Sequence, residues 1–98
     1  MNSSISPIDE RSAQQRVTIW LASEVGNLLV SGTPQLIIDP QGSHQMIWRV
    51  PVHMTSSKSG LLSQVGSVDI DGVSGQLLDT ETTKAAILNR VNDVIHLV

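Results

Sequence analysis

Residues Met46-Ile47-Trp48-Arg49-Val50-Pro51-Val52-His53-Met54 alternate in character with a period of two. Met46, Trp48, Val50, Val52 and Met54 fall on one side of a strand, and Arg49, Pro51 and His53 on the other. A strand written this way covers a core with one face and leaves the other wet, which places a sheet at the centre of the fold. Pro51 cannot donate to a ladder, so the middle of this strand is expected at a sheet edge or at a bulge.

The neighbouring elements follow from the same reading. Leu28 to Ser31 and Gln35 to Asp39 are short apolar runs closed by Gly32-Thr33-Pro34 and by Pro40-Gln41-Gly42-Ser43, and both are expected as strands. The Asp39-Pro40-Gln41-Gly42 turn suits a hairpin into the Trp48 strand. Thr55 to Ser63, rich in Ser, reads as a flexible connection, and Val65 to Leu78 as further sheet. Ser6-Pro7-Ile8-Asp9 predicts a helix start with Ser6 as cap, followed by an apolar stripe of Ala13, Val17, Trp20, Leu21, Val25 and Leu28 and a stop at Gly26-Asn27. Asp79 or Thr80 caps a final helix whose stripe is Lys84, Ile87, Leu88, Val91, Val94, Ile95 and Val98. The expected class is α+β: an N-terminal helix, an antiparallel meander of four or five strands, and a C-terminal helix, with both helices on the apolar sheet face.

Size and charge narrow the function. Ninety-eight residues suit one domain spanning 1–98. A hydrophobic fraction of 40% with Trp20 and Trp48 as the only aromatic residues predicts an aliphatic core. The net charge is -3, and six singly scattered cations supply no stripe for a phosphate backbone, which disfavours nucleic acid. The absence of cysteine removes disulfides, thiolate catalysis and zinc-thiolate sites and suits a reducing cytoplasm. The N-terminal residues do not follow a secretory pattern, and no run approaches the length of a membrane span.

Val68-Asp69-Ile70-Asp71 followed by Gly75-Gln76-Leu77 resembles the strand, turn and strand of PepSY-like modules, with Ser74 and Gln76 flanking the turn glycine where those modules carry Thr and an acid. The resemblance covers at most Trp48 to Leu78. It implies a small sheet module of a kind that is commonly extracytoplasmic and in some cases restrains peptidases. Trp48-Arg49-Val50-Pro51-Val52 is also similar to a strand of some short bacterial proteins.

No catalytic, cofactor-binding or metal site is expected. Asp69 and Asp71 share a strand face, but the calcium-loop template fails at Val73, Ser74 and Thr80. His44, His53 and His96 have no partner at helical ligand spacing. Gly72-Val73-Ser74-Gly75 is one residue short of a nucleophile elbow, and the glycines form no phosphate loop. Arg49, His53, Asp69 and Asp71 are a candidate polar cluster across a strand pair. Trp48, Val94, Ile95 and Val98 are candidate interaction anchors.

Two function classes follow. The leading one is a non-enzymatic regulatory or interaction module that forms a homodimer or binds another protein through a strand edge or an apolar patch, without cofactor or membrane. The other is a small-molecule or metal-binding domain, or a minimal enzyme, working on the polar sheet face.

Overall fold

The computed structural model describes residues 8–26, 29–38, 46–56 and 60–97, with side chains described for all of these except 56, 60–62 and 95–97. Helix α1 (Glu10–Trp20) leads through a π-helical turn (Leu21–Val25) to strands β1 (Leu29–Ser31), β2 (Gln35–Ile38), β3 (Met46–Ser56) and β4 (Gly60–Asp71), and helix α2 (Thr80–Leu97) closes the order. All strand pairs are antiparallel. The fold is α+β, a four-stranded antiparallel sheet with α1 and α2 against one face.

Strand β3 organises the sheet. β4 runs along one side of it, while β1 and β2 share the other side end to end, β1 against Val52 to Met54 and β2 against Met46 to Arg49. Residues 29–38 thus form one edge line broken at Gly32-Thr33-Pro34. Gly32 donates its amide to the Pro51 carbonyl at 2.8 Å. Backbone groups of one strand residue point to a single side, so the nitrogen of Pro51 faces this break, where no ladder donor is needed. Pro51 therefore sits in an inner strand, at an irregularity of its neighbour.

The alternation of β3 is realised. Val50 and Val52 are fully buried and Met54 nearly so, and they join Ala13, Val17, Leu21, Val65, Val68, Ile70 and Ile87 in an aliphatic core. Trp20, Trp48, Leu29, Leu77, Val91 and Val94 pack around it, partly buried. Helix α2 crosses β4 at Gly66, where an added Cβ would lie 2.9 Å from Ile87 Cγ1. Glycine here lets the helix backbone come close enough to bury Ile87 completely.

Four details differ from the sequence reading. The cap of α1 is Asp9, whose carboxylate accepts the Ser12 amide at 2.8 Å, whereas the expected cap Ser6 lies outside the described residues. The stripe at 13, 17, 21 and 25 advances in steps of four, drifting about 40° per step on a helix of 3.6 residues per turn. The wider π-helical turn, closed by the Gly26 amide on the Leu21 carbonyl, offsets the drift and keeps Val25 against the core. The Ser-rich segment is not a long connection, since β3 continues to Ser56 and β4 starts at Gly60. Pairing with β3 outweighs composition there, with register shifts between Val52 and His53 and between Met54 and Thr55. Leu88 is 43% exposed rather than part of the α2 stripe. Its position lies about 100° around the helix from Ile87, beyond the strip that the sheet covers. Leu28, the Asp39 to Gly42 turn and Val98 lie outside the described residues, as do the side chains of Ile95 and Leu97.

Candidate functional site

The open face of the sheet carries the expected polar residues in register. Arg49 pairs across the strands with Asp69, and Nε and Nη2 donate to the two carboxylate oxygens at 2.9 and 3.1 Å. The hydrogen bonds and charge of Asp69 raise the pKa of the guanidinium above its usual value. Asp71 turns toward the chain reversal, where Oδ1 accepts the amides of Val73 and Ser74 at 2.8 and 3.0 Å. His53 is opposite Gln64, with its ring beside Gly32. The four residues share one face. Arg49 and Asp69 form a closed ion pair on it, Asp71 orders a turn, and His53 stands four positions along β3 from Arg49. Among the described residues no three His, Asp or Glu side chains gather as a metal site.

Trp48 is half-buried, and its indole Nε1 donates to the Ile8 carbonyl at 3.0 Å. That bond ties the segment before α1 to the sheet. Val94 packs against the core. A groove of about 540 Å³ runs beside α1 between Arg16, Ile19 and Trp20 on one side and Gln76 and Leu77 on the other. Arg16 lies against Gly75, where φ is 78° and an added Cβ would come within 2.8 Å of the guanidinium carbon. Lys84 reaches Glu24 at 3.9 Å near one end of the same groove.

The sheet edges differ from one another. Along β1, Gln14 Nε2 donates to the carbonyls of Ser31 and Gly32 at 3.3 and 3.1 Å, and the Thr18 and Ser31 hydroxyls meet at 2.7 Å. Helix α1 thereby occupies that edge. The end of β4 is paired by the returning chain, through Asp71 to Gln76, Leu78 to Asp69 and the bridge of Ile70 with Leu77. The rest of β4 carries both register shifts, which disrupt a regular edge.

β2 has none of these covers among the described residues. Met46 accepts the Gly72 amide on the β4 side, and Pro51 accepts Gly32 on the opposite side. By alternation, Ile47 and Arg49 direct their backbone groups at their partners Ile37 and Gln35. The amides and carbonyls of Leu36 and Ile38 consequently point away from β3. Their side chains, on the helix-bearing face beside Trp48 and Met46, are 45% and 57% exposed. Gln35-Leu36-Ile37-Ile38 contains no charge to blunt such an edge. The sequence reading did not single out these residues, although an uncharged run between Pro34 and Pro40 was the available signal.

No protein-family model, curated protein or solved structure matches the chain. No helix among the described residues is long and apolar enough to cross a membrane.

Proposed function

We propose that this chain is a non-enzymatic interaction module that takes a β-strand of another polypeptide onto the outer edge of β2, which is uncovered among the described residues. The observation that carries the reading is the combination of outward backbone groups with exposed Leu36 and Ile38 on an uncharged strand. Main-chain hydrogen bonds supply affinity in this mode of recognition, and alternate side chains supply specificity. Leu36 and Ile38 are the alternate pair here, next to the apolar surface of Trp48. A regulatory role in a reducing, cytoplasmic setting suits a module with no cysteine. The polar face is a weaker basis for function, because the charge of Asp69 is already matched by Arg49.

Affinity capture from the native cell tests the reading when wild type is compared with Leu36→Lys/Ile38→Lys and with Leu88→Lys. The expected partner is retained by wild type and Leu88→Lys and lost by the edge variant. A partner captured equally by all three would contradict the assignment of the β2 edge.

A further inference from the structure

We infer that the occupant of the β2 edge is the β2 edge of a second copy of this chain, paired antiparallel about a two-fold axis at Ile37. The inference rests on the interaction reading above and names its partner.

The register follows from the backbone. With Ile37 facing its own copy, Leu36 lies opposite the second copy's Ile38, and Ile38 opposite its Leu36. These are the residues whose amides and carbonyls point outward, so each such pair exchanges two hydrogen bonds and the two-fold repeats them. Neighbouring registers are poorer. One centred on Leu36 sets Ile38 against Pro34, and one centred on Ile38 calls on Pro40, and neither proline has an amide hydrogen to give.

The side chains agree with that choice. Directly opposed residues of an antiparallel pair lie on the same face. Leu36 and Ile38 of both copies therefore form one apolar quartet on the helix-bearing side, flanked by Trp48 and Met46 of each chain. The quartet covers the side chains that a single chain leaves 45% and 57% exposed. Ile37 meets its copy on the opposite face. Because Gln35 to Ile38 has no charge, the symmetry brings no like charges together within the paired segment. A charged strand would incur that repulsion at every symmetric contact.

The chain has no cysteine, so single introduced cysteines report the register directly. Self-opposed residues that do not exchange hydrogen bonds have Cα atoms about 4.5 Å apart, within disulfide reach. In a glutathione redox buffer, Ile37→Cys is expected to become a linked dimer on a non-reducing gel. Leu36→Cys and Ile38→Cys are each expected to link poorly alone and well when mixed. Light scattering is expected to give twice the chain mass for wild type and Leu88→Lys, and the single-chain mass for Leu36→Lys/Ile38→Lys. Unchanged circular dichroism in the edge variant would show that the loss is one of association, not folding. A wild-type protein that stays single-chain at several hundred micromolar, or Ile37→Cys that links no better than Leu88→Cys, would overturn the inference. If capture of another protein nevertheless depends on Leu36 and Ile38, the interaction reading stands and only the second copy is removed. Loss of both results removes both.

Discussion

The carbonyl of Pro51 accepts the amide of Gly32 at 2.8 Å, which puts the one β3 residue without a donor opposite the one break in the neighbouring edge line. Two irregularities thus cancel in hydrogen-bonding terms. The same break divides that edge into β1, occupied by Gln14 and Thr18 of α1, and β2, which has no such cover among the described residues.

Pro51→Thr is therefore expected to change stability by less than about 1 kcal/mol, since the restored amide faces the break rather than a ladder partner. Gly32→Ala is expected to be worse. Its Cβ would lie 2.9 Å from Pro51 Cγ and 3.1 Å from His53 Cε1, and such overpacking costs about 1–3 kcal/mol. Urea denaturation of both variants checks the order, and a larger loss for Pro51→Thr would refute this account of the break.

Close packing of α2 on β4 makes Gly66 and Ile87 a coupled pair. Ile87→Ala is expected to lose about 2–5 kcal/mol as a cavity in the core, and Gly66→Ala about 1–3 kcal/mol by steric conflict. The double variant should lose clearly less than the sum, because the new methyl then enters the vacated space. Additive losses in thermal or denaturant melts would show that the helix does not rest on this glycine.

Asp9 gives the N-terminus of α1 a pH dependence. Its pKa is lowered chiefly by the hydrogen bond from the Ser12 backbone amide. The folded value lies below the unfolded one, so the stabilisation is complete above the unfolded pKa and disappears as the pH falls through the folded one. Wild type should exceed Asp9→Ala in stability at neutral pH, with the gap closing below about pH 4. A gap that persists at pH 2 would mean that Asp9 acts by something other than its charged carboxylate.

The Arg49 and Asp69 side chains are 49% and 31% exposed, so solvent screens their bond. A double-mutant cycle with Arg49→Met and Asp69→Asn is expected to give about 0.2–1 kcal/mol, falling as salt is added. A large, salt-insensitive coupling would instead mark the pair as a buried structural element.

Much of the architecture is legible from residue patterns, because the alternation of Met46 to Met54 and the stripes at Val17 and Ile87 report faces directly. The pairing of Arg49 with Asp69 is less legible, since it needs the β3–β4 register, which the Ser-rich stretch conceals. Trp48 is a candidate anchor by residue type while its neighbours Met46, Val50 and Val52 argue for core, and neither reading reaches the bond of its indole to Ile8, a contact spanning 40 positions. In the sequence Leu36 and Ile38 read only as members of a short apolar strand. Their exposure depends on where α1 lies over the sheet, and that follows from packing rather than local pattern.

Amide hydrogen exchange at Leu36 and Ile38, followed by NMR across a dilution series, tests the β2 edge most directly. In a lone chain both amides point away from β3 and meet no partner among the described residues, whereas Ile37 bonds to β3. The account predicts that the Leu36 and Ile38 amides are protected at high protein concentration and lose protection together on dilution, while Ile37 stays protected throughout. Rapid exchange of Leu36 and Ile38 at every concentration and with every captured partner, or protection of both in a demonstrated single chain, would contradict it.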